Sequence, residues 1–152
     1  MRDSFLKGRW EMTKPGPAVW RRSVYSYQKR GLRYPMFEVF DQPNMNVTCE
    51  RRNTTTVPTQ ALTLLNNSFI LDQAQAFADR VWDAAGPDAE RQIQTAYDVA
   101  LARPAAAKEL EENRSFLARQ KDYHARTPEP AKAALVDLCD VILNLNEFVY
   151  IP

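Results

Sequence analysis

Two pairs of adjacent arginines are the side chains in this 152-residue chain best suited to hold an anion. Arg21 and Arg22 form the first pair, and Arg51 and Arg52 form the second. A guanidinium group donates a planar fork of hydrogen bonds that fits a carboxylate, sulfate or phosphate. If the four side chains converge, they form an anion-binding site. The alternative is structural: the same arginines would tie the N-terminal segment to the helices through salt bridges and carbonyl hydrogen bonds.

Four other polar residues stand beside or within apolar stretches, namely Thr54, Gln60, Asn66 and Glu147. Gln60 and Asn66 could hydrogen-bond a ligand, or they could satisfy backbone groups at a helix end or loop. Glu147 is the only acid inside a strongly apolar stretch, and we expect it to accept a hydrogen bond from an arginine or a backbone amide. A paired-carboxylate hydrolase would need a second acid that faces the same cleft.

The sequence contains no self-contained catalytic motif. It has no G-x-S-x-G, no H-E-x-x-H and no glycine-rich phosphate loop, and it has only four glycines. His124 is the only histidine and lacks neighbours at metal-ligand spacing, so we expect it in solvent near a helix end. We assign no catalytic residue, expect no metal or cofactor within the chain, and leave open whether it contributes to an enzyme.

The N-terminal part of the chain is basic and rich in aromatic residues. Residues 1–60 hold 11 Lys and Arg against 5 Asp and Glu, whereas residues 61–152 hold 9 against 14. Aromatic rings beside basic groups can stack sugars or bases. They could equally anchor the segment as core pieces, with its charge matched by the acidic helices of the same chain. An acidic glycan is the ligand that this pattern favours, and nucleic acid comes well behind it.

Cysteine content and hydropathy exclude two further classes. Cys49 and Cys139 are too few for a disulfide framework, and we expect two separate buried thiols rather than a bond between them. The sequence has no run of 18 apolar residues, so it predicts no membrane span.

From residue 59 onward the spacing of apolar residues predicts helices, which the short loops between them should arrange as antiparallel neighbours. The predicted spans are a first helix from residue 59 to the break at 66–68, then about 68–84, 88–102 and 105–126, and a fifth helix whose apolar stripe runs over 131–149. We expect Ser68 to cap the second helix and Thr127 to cap the fifth, ahead of Pro128. The inward faces are expected to include Ala76 and Tyr123.

Residues 1–58 are expected to form an extended arm over that bundle. Residues 19–27 alternate in a way that favours a short strand, with a helix as the alternative, and residues 36–40 place three large apolar side chains on one helix face. The predicted fold is therefore mainly α and one domain overall. It consists of a small helical bundle at residues 59–152 with an extended, aromatic-rich, basic N-terminal arm at residues 1–58.

Five sequence blocks resemble, in order, those of a known family. They read like "RRSLY" at residues 21–25, "FDxP" at 40–43, "RRxxTxxPxQALxLLN" at 51–66, "ALxRxPTxxEL" at 100–110 and "LNxNEFxYV" at 144–150. Together, from about residue 19 on, they resemble the C-terminal end of the PSD-one domain, a family of unknown function also called "fifteen-fifty-three". The chain departs from the pattern at Ala105 and Ala106, where the family more often has a Pro-Thr helix start, and this concerns only the local cap.

The resemblance implies an exported protein of planctomycetes and related bacteria, placed in the periplasm or cell envelope. It implies that the chain is a C-terminal fragment whose partners are upstream domains, and any c-type haem would belong to such a domain. The expected role is a structural or ligand-binding module that binds or acts on polysaccharide. The alternative is part of an active site, hydrolase-like or haem-linked redox, that upstream domains complete. No activity and no catalytic residue come with the family.

Overall fold

A computed structural model describes residues 16, 20, 22–26, 34–44, 46–51, 55 and 58–150. Within these residues the protein is mainly α, as predicted, with seven α-helices, one 3-10 turn and no strand. The chain divides into two compact units, Met1–Gln60 and Ala61–Pro152, which we call the first unit and the second unit.

The described part of the first unit contains the 3-10 turn at Ser23–Tyr25 and helix α1 at Pro35–Val39. The short helix predicted at residues 36–40 is thus confirmed. It begins where Pro35, at the first helical position, follows an extended Tyr34. It ends before Asp41, whose φ of 56° lies in the left-handed region.

The strand predicted at residues 19–27 is wrong for the residues that are described there. The Tyr25 N–H donates to the Arg22 carbonyl at 2.9 Å, and the Ser26 N–H donates to the Ser23 carbonyl at 3.0 Å. These bonds span three residues and close a 3-10 turn within the segment. A strand would need a neighbouring strand for its ladder, and the described residues contain none.

Six further helices follow, and the division between the units falls within the first of them. They are α2 (Pro58–Asn66), α3 (Ser68–Ala85), α4 (Ala89–Leu101), α5 (Ala107–Tyr123), α6 (Pro130–Leu143) and α7 (Asn146–Val149). Helix α6 lies at the centre of the second unit, because α3, α4 and α5 all pack on it, and α7 packs on α4 and α6. The predicted small helical bundle is confirmed.

The core of the second unit forms around α6. Five of its residues are essentially inaccessible to solvent: Ala134, Leu135, Leu138, Cys139 and Ile142. They pack with a stripe of small residues on α3 and with the inner face of α4, namely Ala74, Ala78, Val81, Ile93, Ala96 and Tyr97. Because alanines let two helix backbones approach closely, α3 contributes contact area with few large side chains. Burial of these apolar faces is the main stabilising term of the bundle.

Ala76 and Tyr123, which the apolar periodicity placed inward, are exposed. On α3 the buried stripe runs through Ala74, Ala78 and Val81, so Ala76 falls on the other side of the helix. Tyr123 is the last residue of α5, and its ring remains 81% exposed. Both predictions were wrong because apolar spacing does not show which face of a helix is buried or how far the packing extends toward its end.

Two predicted caps are displaced by a residue or more. Asn67, rather than Ser68, caps α3, because the Asn67 Oδ1 accepts from the N–H two residues on at 2.9 Å and Ser68 is already helical. Helix α6 begins at Pro130, not at the predicted Thr127 cap. The Thr127 hydroxyl instead donates to the carbonyl of His124 at 2.8 Å and so belongs to the end of the preceding segment.

The apolar stripe over residues 131–149 is divided between two helices, so the prediction of one continuous helix is wrong. The Asn144 Nδ2 donates to the Asp140 carbonyl at 2.7 Å and occupies an acceptor at the helix end. Leu145 is extended and precedes α7. Leu145 still packs against the core, which is why the stripe looks unbroken in the sequence.

Among the described residues, no helix combines the length and the apolar character that crossing a bilayer requires.

Candidate functional site

Arg103 lies just after α4, where the chain turns toward α5. Ala102 has a left-handed φ of 54°, and its N–H still bonds to the Asp98 carbonyl at 3.2 Å, so α4 ends at this residue. Pro104 follows and lacks the N–H that a continuing helix would use. The turn brings Arg103 to the start of α5 and to α7.

Carboxylates bind the Arg103 guanidinium on two sides. Its Nε and Nη2 donate to the two oxygens of Glu147, both at 2.7 Å. Its Nη1 and Nη2 donate to Glu109 at 2.9 and 2.8 Å, and Nη1 also donates to the Pro104 carbonyl at 3.1 Å. A guanidinium has five N–H donors, and these five contacts use all of them. We call Arg103, Glu109 and Glu147 the arginine clasp.

Glu109 also supports the start of α5. Its Oε2 accepts the Ala106 N–H at 2.7 Å, which is one half of a capping box. Ala106 has no side-chain oxygen for the other half, so the departure from the family pattern removes one acceptor only. The hydrogen bonds from Arg103, and then that from Ala106, lower the pKa of Glu109 to about 2. Arg103 also lowers the pKa of Glu147.

The clasp borders an open cleft of about 470 Å³ in the second unit. The apolar lining comes from Tyr97, Val141, Ile142 and Leu145, and the polar lining from Asn113, Asn146, Glu112 and the two clasp glutamates. The Arg103 Cζ lies 5.4 Å from the centroid of the Tyr97 ring, within reach of a cation–π interaction. The Tyr97 hydroxyl accepts from Asn113 at 3.0 Å, and burial raises the pKa of Tyr97.

This arrangement is better suited to cross-linking helices than to chemistry on a substrate. A general acid near neutral pH needs a pKa close to the working pH, and the pKa values of Glu109 and Glu147 are lowered instead. Arg103 has no donor left to polarise a substrate oxygen. Glu112, the third acid of the cleft, lies 3.7 Å from the Lys108 ammonium. The clasp therefore joins the end of α4, the start of α5 and α7.

The predicted anion-binding arginines are only partly described. Arg22 and Arg51 are both exposed. Arg21 and Arg52 lie outside the described residues, and so does Thr54. The convergence of the four arginines therefore stays a prediction.

Residues of two motif blocks meet in the first unit. Gln60 is 3% exposed, and its Nε2 donates to the Val39 carbonyl at the end of α1, at 3.1 Å. Thr55 donates its N–H at 2.8 Å, and its hydroxyl as well, to one oxygen of Asp41. These bonds fasten the "FDxP" block to the block at residues 51–66. Asn66 behaves differently, since its Nδ2 donates to the Leu62 carbonyl within the same helix at 2.8 Å.

The sequence predicted that Glu147 accepts a hydrogen bond from an arginine or a backbone amide, and the structure shows an arginine as the donor. The sequence did not identify Arg103, Glu109 or Asp41 as functional partners. The available signal was their position inside the blocks that carry the family resemblance, because Arg103 and Glu109 belong to the fourth block and Asp41 to the second. What the blocks could not give is which arginine pairs with Glu147 across 44 positions.

His124 lies at the end of α5, as expected, but the prediction that it stands in solvent is wrong. Its Nε2 is 2.7 Å from the Asp137 Oδ2 on α6, and its side chain is largely shielded. The pair therefore ties the end of α5 to α6. Among the described residues, no group of three or more His, Cys, Asp or Glu side chains could hold a metal ion.

Both cysteines are free thiols. Cys139 is fully buried in α6, and burial raises its pKa to about 12, which leaves an unreactive thiol at neutral pH. Cys49 is exposed, and its thiol donates to the Arg51 carbonyl at 3.1 Å. The expectation of two buried thiols is confirmed for Cys139 and wrong for Cys49.

The sequence profile of one family, PSD1, described as protein of unknown function (DUF1553), matches residues 5–117. The match includes the first four motif blocks and ends within α5, so the block at residues 144–150 lies beyond it. No curated protein and no solved structure matches this chain. Because the profile covers well over half of the 152 residues, the chain belongs to the DUF1553 (PSD1) family.

Proposed function

We propose that this chain is a non-catalytic module whose motif residues hold its own fold and whose basic, aromatic segment binds an acidic polysaccharide. The observation that carries the structural half is the saturation of Arg103, whose five donors all go to Glu109, Glu147 and Pro104. A binding arginine would keep donors for its ligand, whereas this one directs all of them to α5, to α7 and to the turn between α4 and α5.

A change from Arg103 to Lys tests the structural half. Lysine keeps the positive charge but cannot donate in two parallel pairs to two carboxylates. We expect the melting temperature of the chain to fall, and we expect no change for Arg119→Lys, an exposed arginine on α5. Equal melting temperatures for Arg103→Lys and Arg119→Lys would contradict a structural role for the clasp.

We infer the cellular setting from the resemblance to the family. We place the module in an exported, multidomain protein of the planctomycete type, in the periplasm or cell envelope, where other domains of that protein are its partners. The support for this setting is the family membership together with the resemblance of the five sequence blocks.

The glycan half rests on the exposed groups of the first unit. Trp20 and Tyr25 are 61% and 74% exposed, and Arg22 and Arg51 are exposed as well. A groove of about 390 Å³ in the same unit is lined mainly by apolar side chains, namely Val24, Met36, Phe37, Phe40 and Pro43. Flat rings offer stacking faces to sugars, and guanidinium groups pair with sulfate or carboxylate substituents.

Thermal melts with oligosaccharides test the glycan half. We expect a dextran sulfate oligomer to raise the melting temperature in a saturable way, and uncharged dextran of the same length to leave it unchanged, at fixed ionic strength. The double variant Arg22→Ala with Arg51→Ala should lose this shift. The matched control is Arg119→Ala with Arg126→Ala, two exposed arginines of the second unit, which should keep it. An equal loss in both double variants would indicate nonspecific charge attraction and contradict the proposal.

An enzymatic alternative uses the same arginines, because the exposed side chain of Arg51 is accessible to another domain. In that case Arg51, Arg52 and Glu147 would serve an active site, hydrolase-like or haem-linked redox, that other domains complete. The double change Arg51→Ala with Arg52→Ala in the parent protein separates the two. Lost activity at an unchanged melting temperature would favour the enzyme, whereas retained activity would favour the non-catalytic module.

A further inference from the structure

Helix α7 forms one side of the cleft beside the arginine clasp. It is a single helical turn. Its residues Asn146 and Glu147 line the cleft, and so does the preceding Leu145. The opposite sides come from α4, α5 and α6. Beneath lie Tyr97 and Ile142, which are 4% and 1% exposed. Displacement of α7 would therefore uncover apolar surface rather than a polar loop.

The junction between α6 and α7 carries a cost in the closed position. It consists of Asn144 and Leu145. The Asn144 Nδ2 bonds to Asp140, but the Asn144 Oδ1 is buried without a hydrogen-bond partner. A buried acceptor without a partner destabilises the state in which it is buried. Opening at this junction would let water reach that oxygen and would remove the cost.

The clasp can release α7 without leaving Arg103 unpaired. Glu109 holds the guanidinium through two further bonds and is itself held by the Ala106 N–H. Loss of Glu147 therefore leaves one complete bidentate pair behind. Because the side chains of Arg103 and Glu147 are 35% and 48% exposed, water can solvate both after release. An ion pair this exposed contributes little stability, so it acts as a weak fastening.

We propose that α7 is a hinged lid that opens about Asn144 and Leu145 to uncover the apolar cleft, with the Arg103–Glu147 pair as its fastening. The lid is the part of the bundle that combines a short helix, an exposed charged fastening and a junction with an unsatisfied buried oxygen. Its opening exposes to solvent the side chains of Tyr97 and Ile142, which are buried in the closed position.

Amide hydrogen exchange of the whole chain, measured by NMR, tests the lid. The N–H groups of Phe148, Val149 and Tyr150 bond to the carbonyls of Leu145 and Asn146 at 2.9, 3.0 and 2.9 Å. A single helical turn is not stable once it is detached from its packing, so these bonds break when α7 opens and the three amides report on the opening. In Glu147→Gln, which keeps the shape and removes the charge, we expect these three amides to exchange roughly two- to tenfold faster. Amides in the middle of α6 should be unchanged. Nile red, an uncharged apolar dye, should fluoresce more strongly with the variant.

The matched control is Glu90→Gln, which weakens the Arg114–Glu90 pair at 3.4 Å between α5 and α4. It should leave exchange at α7 and dye binding unchanged. Unaltered rates at all three α7 amides in Glu147→Gln would overturn the proposal. So would acceleration by the same factor throughout α3 to α6, since Glu147 would then stabilise the whole bundle rather than α7 alone.

The unmodified protein gives a second test, which does not depend on whether the variant folds. The measurement is made at several urea concentrations that are too low to unfold the protein. Opening of the lid exposes much less surface than unfolding of the whole bundle, so exchange through the lid should depend only weakly on urea. We expect the α7 amides to exchange faster than the α6 amides and with this weak dependence. Equal protection and equal urea dependence in the two helices would overturn the lid.

Discussion

The described parts of the two units are held together in opposite ways. In the second unit, thirteen buried apolar residues form one cluster around α6. In the described part of the first unit the only buried residue is Gln60, which is polar. Its described hydrogen bonds between distant residues include those from Gln60 to the Val39 carbonyl and from Thr55 to Asp41.

This difference indicates that the second unit supplies most of the stability, whereas the first unit presents exposed side chains to solvent. A packed apolar cluster stabilises in proportion to the area that it removes from water. A few hydrogen bonds contribute far less net free energy but fix positions. The first unit also leaves Trp20, Val24 and Tyr25 exposed, which suits a surface that meets a ligand. We expect changes in the second unit to alter global stability and changes in the first to act locally.

The largest effect should come from the core of the second unit. Leu138→Ala removes a fully buried side chain from the centre of α6 and leaves a cavity. We expect it to lower the free energy of unfolding by about 3 kcal/mol, measured by urea denaturation. The control is Val24→Ala in the first unit, where the side chain is 81% exposed, with an expected change below about 0.5 kcal/mol. Similar losses in both variants would break the comparison.

The next effect tests the first unit. Gln60→Ala leaves the Val39 carbonyl without this donor and should cost about 1 kcal/mol. Amide exchange should accelerate at the end of α1, for example at the Gln42 N–H that bonds to the Phe37 carbonyl, and not in α6. Gln75→Ala, an exposed glutamine on α3, is the control. Equal acceleration in α1 and α6 would show that the two units unfold together.

The helices were predictable because their apolar spacing is regular, and their ends were not. Asp88 was predicted at the start of α4, where its side chain accepts two backbone N–H groups. The break after Leu143 was missed because Leu145 keeps the apolar register while its backbone is extended. Local hydrogen bonds decide such ends, and a side chain like Asn144 can equally continue or stop a helix.

The candidate site was half predictable for a similar reason. An acid in an apolar stretch needs a donor, which sufficed to expect an arginine or a backbone amide beside Glu147. The choice of Arg103 depends on the left-handed Ala102 that turns the chain after α4. Alanine is not a residue from which a sequence predicts such a turn. Solvent shielding of His124 also follows from packing against α6, which spacing alone does not reveal.

Acid should act on the second unit through the clasp. The folded-state pKa of Glu109 is about 2, below its ordinary value of 4.5, so its contribution is complete above about pH 4.5 and is lost as the pH falls toward 2. We expect Glu109→Gln to lower the melting temperature at pH 7 and to approach the unmodified protein near pH 2. Glu111→Gln, an exposed glutamate on the same helix, is the control. Parallel melting curves at all pH values would contradict this assignment.

The smallest effect concerns the carboxyl group of Asp140, which we expect to destabilise the bundle slightly. Burial, and then the charge of Asp137, raise the pKa of Asp140. The folded state therefore disfavours the ionised form, and this carboxyl subtracts stability once the pH rises past its ordinary pKa. Asp140→Asn keeps an acceptor for Asn144 and removes the charge, so we expect a gain of about 0.5 kcal/mol at pH 7 in urea denaturation.

Asp137→Asn, three residues earlier on α6, should have the opposite sign, because Asp137 lies 2.7 Å from the His124 Nε2. Both variants remove one negative charge from α6. The difference between their effects on stability therefore reports the contribution of the His124–Asp137 contact. A loss for Asp140→Asn would show that its carboxylate has a favourable role in the closed α6–α7 junction. Half-buried polar groups would then stabilise the second unit as Gln60 stabilises the first. The apolar core of the second unit would be the one remaining difference between the described parts of the two units.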